Sequence, residues 1–283
     1  MKTELFWVLP IVATVVVSVL LAVAQFIVSS RFAARIEDLQ RRLAAGQASA
    51  PAPDPERLPE LVRRFAERAG AVVGAPPMVR LDQSLTMRLG VDKPWQALTA
   101  VHWAGTRTSG FVWHARGKMM GLGIGVVDAY VDGAGLLDAR LLNSISVARS
   151  EGVETDRGEL LRYLAEIPLT PDAILNNPAL AWTQIDDRRV SVATTTGAGA
   201  TGAAVAVVFT FDEAGDIVEG LADRPMIVDG TCTDVPWQGL FFDYRQLGAR
   251  RIPTRAEVGW RLPDGLYTYF RGTIESCTLE SAP

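Results

Sequence analysis

The chain holds two histidines, His102 and His114, and each sits beside a tryptophan, Trp103 and Trp113. Imidazole titrates near neutral pH and ligates metals, so a pair on one wall could act as acid and base or begin a metal site. The stretches that carry them read as neighbouring antiparallel strands turned near residues 106–108. That turn sets His102 opposite about residue 112 and His114 opposite about residue 100, with both rings on one side of the sheet. Neither strand carries an acidic residue to complete a metal site, so none is expected. Asp128, Asp138 and Asp243 lie in plausible strands, as do Arg140, Arg245, Arg261 and Arg271. Their spacing suits cross-strand salt links and demands no glycosidase-like carboxylate pair. Gly121-Leu122-Gly123-Ile124-Gly125 is followed by more strand-like residues, where a nucleotide fingerprint needs a helix. These glycines read as easing a bend in a curved sheet. Walker A and Gly-x-Ser-x-Gly sequences are absent. No cofactor is expected, and an enzyme using His102 and His114 is the third-ranked reading.

Composition narrows the classes further. The 283 residues are 48% hydrophobic, too apolar for a disordered chain and ample for a core. Lys+Arg number 28 against Asp+Glu 32, with no cationic run, so a nucleic-acid partner is not expected. Cys232 and Cys277 are too few for a disulfide scaffold or a Cys-based zinc site. Folding the C-terminal strands at their turns sends the two toward different ends of the sheet. A disulfide would require the 223–236 loop to fold back, and that question stays open.

The elements that must position any site begin with residues 5–28, which carry no charge. As a helix this stretch is about 36 Å long, against a hydrocarbon core of roughly 30 Å. It reads as an uncleaved transmembrane helix after a 1–4 tail, with the lipid bilayer as partner. Ala22-Val23-Ala24 has the small-x-small form of a signal cleavage site, but apolar residues continue to Val28. Arg31, Arg35, Arg41 and Arg42 follow closely, and the loop-charge rule would hold them in the cytoplasm. The reading nevertheless favours the globular domain outside it. Residues 29–45 form a stalk in which Phe32, Ile36, Leu39 and Leu43 recur as an a/d seam. That seam suits a weak homodimer or an interfacial helix on lipid. An Ala/Pro linker at 46–55 holds the domain, 56–283, away from the membrane.

Within 56–283 a first helix precedes roughly eleven or twelve strands with period-two alternation. Val79–Arg88 shows one wet face, and 97–104, 110–119, 122–131 and 136–147 follow it. A helical insert interrupts them. Asp156 with Glu159 reads as a capping-box variant, and Leu160, Leu161 and Leu164 as its stripe. Strands resume at 181–186 and end in a meander, 237–245, 252–261 and 266–278. The class is α+β, a large antiparallel sheet with helices on one side. The insert must pack its leucines on that sheet, as a permanent plug or a movable lid.

Three stretches resemble a bacterial family known only as a domain of unknown function. They are Val127–Gly133, Asp156–Glu166, and the group Phe242–Arg245, Arg251–Arg255 and Leu262–Gly265. The likeness covers about residues 56–279 and implies no activity. The order of strands, insert and Phe209-Thr210-Phe211-Asp212 turn is also similar in layout to the LolA-type lipoprotein carriers. That resemblance implies a half-open barrel with a helical lid over an apolar cavity, and a lipid or lipoprotein ligand. With Trp103, Trp113, Tyr163, Trp182 and Trp260 as candidate ligand-binding residues, the leading expectation is a membrane-tethered, non-enzymatic domain binding an apolar or lipidic ligand. A structural or protein-interaction module of the cell envelope is the alternative.

Overall fold

The computed structural model describes residues 5–47, 55–194, 205–228 and 231–281. The 1–4 tail, most of the Ala/Pro linker and the Gly197–Gly202 loop lie outside them. The first helix, α1, runs unbroken over Leu5–Gln47. Among the described residues it is the one helix long and apolar enough to cross a membrane. A short helix, α2 (Glu60–Arg68), follows and ends at Gly70, whose φ of 76° is a left-handed turn that glycine adopts freely.

Thirteen strands among the described residues build a single antiparallel sheet. Six run outward as a meander: β1 (Met78–Met87), β2 (Gln96–Gly105), β3 (Phe111–Met119), β4 (Leu122–Val131), β5 (Ala134–Leu141) and β6 (Ile145–Glu151). The chain next forms α3 (Val153–Ala165) and α4 (Asp172–Asn176). Seven strands return: β7 (Leu180–Gln184), β8 (Arg189–Thr194), β9 (Ala206–Phe211), β10 (Ile217–Val228), β11 (Thr231–Leu247), β12 (Arg250–Leu262) and β13 (Gly265–Glu280). The last pairs with β1, with Leu81 opposite Cys277. The spatial order is therefore β6 to β1, then β13 to β7, and the insert carries the chain from one edge to the other.

Several element boundaries differ from the sequence pattern, and most of the stretch 223–236, read as a loop, belongs to β10 and β11. Residues 136–147 form parts of β5 and β6, because Leu142 and Asn143 turn the chain with φ of 52° and 57°. Two successive left-handed residues make the tight hairpin turn that matches strand twist. Asn favours it, but leucine carries no such signal, so the turn reads as strand. The insert also starts earlier than its capping pattern. Its helix begins at Val153 after Gly152, and Asp156 Oδ1 accepts a hydrogen bond from the Gly135 backbone N–H at 2.7 Å.

The seam on α1 has a partner inside the chain. Phe32, Ile36, Leu39 and Leu43 are buried against Val112, Val127, Ala129, Val131 and Leu136 on the convex face of β3–β5. The seam therefore offers no free stripe to a second helix or to lipid. A four-three-four spacing marks an apolar stripe without naming what covers it. The counterpart signal lay in β4, where Val126-Val127 and Ala129-Tyr130-Val131 are apolar on both faces of a strand. Gly125 lets the helix approach, since a Cβ there would collide with the Asn143 side chain and press the Phe32 ring. Around this contact Asp138, fully buried, gathers Arg140 at 2.9 Å and Arg35 of α1 at 3.6 Å. Arg42 reaches Asp132 at 2.8 Å.

Phe32→Ala is expected to destabilise the folded chain by about 3 kcal/mol, the cost of an unfilled aromatic site. Denaturant unfolding in detergent checks this. An effect below about 1 kcal/mol would mean that α1 is not part of the domain's core.

Candidate functional site

The concave face of the sheet is filled at one end and open at the other. Leu160, Leu161 and Leu164 of α3 are buried in the main core with Phe111, Phe209, Phe211 and Trp237. The helix touches β4, β5 and β6 on one wing and β9 and β10 on the other. Its neighbour α4 is anchored too: Asp172 pairs with Arg250 of β12 at 2.7 Å and 2.8 Å and accepts the Val72 N–H. Asn176 bonds the backbone of Val72 and Gly74, in the loop after α2. Tyr163 donates to the Gly105 carbonyl at 3.1 Å. These contacts pack the insert as core, so the space beside it, rather than beneath it, is the candidate site.

That space is a cavity of about 480 Å³, within the range of small-molecule sites. Its walls are apolar, with Leu98, Trp113, Val126, Ala139, Val258 and Phe270 among them. The polar inner end is formed by Asp128 of β4, Glu159, Arg162 and Glu166 around α3, and Arg224 of β10. A larger groove of about 1100 Å³ crosses the convex face, but Arg116, Lys118, Arg255 and Arg271 line it. The concave cavity has the apolar walls an oily ligand needs.

Helical spacing builds the inner end. Arg162 and Glu166 are one turn apart and bond at 2.9 Å, while the other arm of Arg162 holds Asp128. The Arg162 guanidinium lies 4.9 Å from the centre of the Phe111 ring and 5.1 Å from Trp113, a desolvated cation–π arrangement. Arg224 bonds Glu159 at 3.0 Å and stacks 5.2 Å over Trp237. Burial pushes the Glu159 carboxyl well above the usual carboxylate range, and the neighbouring Asp128 adds to this. Burial would also raise Glu166, but the charge of Arg162 and its hydrogen bond outweigh it and hold Glu166 low. His102, 3.4 Å from Glu166, is driven down to about 4 by burial. Two guanidiniums, Arg162 and Arg224, thus face Asp128, Glu159 and Glu166 in one buried polar group.

The sequence candidates divide between two faces. Val101 pairs with His114 and His102 with Trp113, one residue away from the expected register. Because side chains alternate, that slip puts the histidines on opposite faces. His102 stacks on Phe111 in the core, and His114 meets Phe32 of α1 on the convex side. The two cannot act as one acid–base pair. Trp113 lines the cavity and donates to Gln83 at 2.9 Å. Trp103 packs instead with the convex cluster under α1. Tyr163 is buried beyond the inner end, bonded to Gly105 and Asn177. Trp182 stacks on Phe209 at the β7 side, and Trp260 stacks on Tyr269, which lines the cavity. The site thus brings Trp113 together with Arg162 and Arg224, which the sequence reading did not single out. The Arg162–Glu166 spacing could have flagged one of them. Arg224 lies in the stretch 223–236, which reads as a loop in the sequence but belongs to β10 here. Cys232 and Cys277 are free.

A model of a family of unknown function, DUF6544, matches residues 48–272. No curated protein matches the sequence. Among solved structures, the chain is similar to a LolA superfamily protein, NE2245, from Nitrosomonas europaea. Identity is 10%, coverage 78% of this chain and 94% of that one, and TM-score 0.41. A putative outer membrane lipoprotein-sorting protein domain from Vibrio parahaemolyticus is similar at 8% identity, 81% and 95% coverage and TM-score 0.42. A DUF1329 family protein from Desulfovibrio piger is similar at 8% identity, 78% and 91% coverage and TM-score 0.43.

The inner end predicts a pH signature. The Glu159 pKa is higher folded than its ordinary 4.5. Its contribution to stability is therefore complete below the unfolded value and is lost as pH rises through the folded one. Glu159→Gln keeps an acceptor for Arg224 and removes that loss. Variant and wild type should have equal stability near about pH 4, with the variant gaining steadily toward neutral pH. Parallel stability curves would contradict a raised Glu159 pKa. Arg162→Met leaves buried carboxylates unpaired and should cost about 3–5 kcal/mol.

Proposed function

The chain belongs to the DUF6544 family, and from its own geometry we propose that it is a membrane-tethered, non-enzymatic domain that holds an apolar or lipidic ligand in its concave cavity. The observation that carries this reading is the cavity itself: an apolar trough with one polar end. An acyl chain would lie along Leu98, Val126, Val258 and Phe270, with its polar end toward Arg162 and Arg224. The two guanidiniums are already paired and stacked, which suits them to orient a polar head rather than to transfer protons. His102 supports the non-enzymatic reading, since burial keeps it neutral and it faces Glu166 instead of open space.

The tether is the exposed first part of α1. Residues 12–24 are solvent-exposed throughout, and no other described element packs over them. A bilayer is the covering that an uncharged apolar helix requires. We place the domain outside the cytoplasm. The arginines after the span argue the other way by the loop-charge rule. Arg35 and Arg42, however, have structural employment against Asp138, Glu151 and Asp132, which accounts for their presence on either side.

A fluorescent fatty acid tests the ligand reading on the full chain in detergent. Val126→Trp fills the trough and should weaken binding at least tenfold, about 1.4 kcal/mol, with the unfolding transition retained. Equal binding by wild type and variant, or none by wild type, would contradict the proposal. Address is read by a phosphatase active only outside the cytoplasm, fused after residue 283. Activity is expected there, and a cytoplasm-active reporter working in its place would reverse the orientation.

A further inference from the structure

The course of α1 fixes which end of the sheet faces the bilayer. Gln47 bonds the β2–β3 turn through Arg107 N, Thr108 N and the Thr108 hydroxyl. Gln25 bonds the β5–β6 turn at the opposite end, donating to the Leu142 carbonyl at 2.7 Å and accepting from Ser144. Residues 5–24 continue past that second end. Twenty helical residues rise about 30 Å, the thickness of a hydrocarbon core. Gln25 therefore marks the level at which the helix leaves the lipid, and the β5–β6 turn lies at that level.

The same end carries the most exposed large apolar side chains outside α1, while Val72, Val73 and Ile185 are exposed elsewhere. Outside α1, the two most exposed large hydrophobic residues described are Met120 at 95% and Leu89 at 72%. Met120 is the tip of the β3–β4 hairpin, and Leu89 begins the β1–β2 turn. Leu142 and Ile145 on the β5–β6 turn and Leu266 at the start of β13 are exposed beside them. Arg88 stacks on Trp95 and on Tyr267 at 4.9 Å and 5.0 Å, the residue types that settle at the headgroup level. The cavity opens here as well, since Leu89, Gln96 and Met119 belong to its lining.

The geometry points to a second membrane contact: the hairpin tips around Met120, Leu89 and Ile145 rest in the leaflet from which α1 emerges, and the cavity mouth opens onto that leaflet. The ligand is then an amphiphile of this leaflet, entering without crossing water. The inference rests on the tethered, ligand-binding reading and goes beyond it by assigning the surface and the route. A loose tether would leave these tips in solvent, where large contiguous apolar patches are rare.

A fluorophore sensitive to its surroundings tests this on the full chain in phosphatidylcholine–phosphatidylglycerol vesicles containing a quencher lipid. Exposed Cys232 is first replaced by Ser. Single sites are then labelled as Val16→Cys in the span, Met120→Cys at the tip and Val73→Cys at the far end. The expected result is blue-shifted, lipid-quenched emission at 16 and 120 and aqueous emission at 73. Quenching at 16 with aqueous emission at 120 overturns the second contact and leaves the tether standing. Aqueous emission at 16 removes the tether and this inference with it. A paired Met120→Asp, Leu122→Asp variant should slow uptake of the fatty-acid probe from vesicles roughly tenfold, with binding in detergent unchanged. Unchanged uptake would also overturn the route.

Discussion

The architecture depends on one constraint: the two edges of the sheet, β6 and β7, never meet, so something else must hold the wings together. Helix α3 does so. Its leucines bury against both wings, and its polar side chains reach each of them, Arg162 to Asp128 on β4 and Glu159 to Arg224 on β10. Removing one partner of such a buried pair leaves an uncompensated charge in a low-dielectric space. The same cluster forms the polar end of the cavity. The clamp that shapes the sheet and the group that would orient a ligand's head are therefore one set of residues. Strengthening or loosening either role must affect the other.

The two faces of the sheet are used differently. The concave face takes α3 and keeps an apolar trough beside it; the convex face takes the second half of α1. Because α1 is a single helix, the direction of its exposed half is set by the packing of its buried half. Gly125, the buried seam and the Arg35–Asp138 contact determine that direction. Such a helix fixes orientation as well as proximity, which a flexible linker would not.

Much of the fold was legible in the sequence because period-two alternation and the leucine stripe are local. The sheet, the insert and the apolar first helix followed from it. What local pattern could not supply was register and destination. The histidines exchanged a shared face for opposite ones through a shift of one residue, which hydrophobic pattern resolves poorly where both faces are covered. Leu142 hid a turn because leucine rarely adopts positive φ. Phe32, Ile36, Leu39 and Leu43 announced a stripe but not its partner, and the partner was the doubly apolar β4. Of the site, Trp113 was legible as an aromatic on a strand. Asp128 was legible as a strand carboxylate but its partner was not, and Arg224 was missed, since they meet α3 across 34 and 65 positions through long-range pairing.

The central claim is that the concave trough holds an amphiphile. Native mass spectrometry of the full chain, released from detergent after purification from membranes, addresses it most directly. The account predicts a population carrying one added lipid-sized mass per chain, recoverable by solvent extraction and absent from the Val126→Trp variant. A chain that always flies at its bare mass, with nothing in the extract, would contradict it.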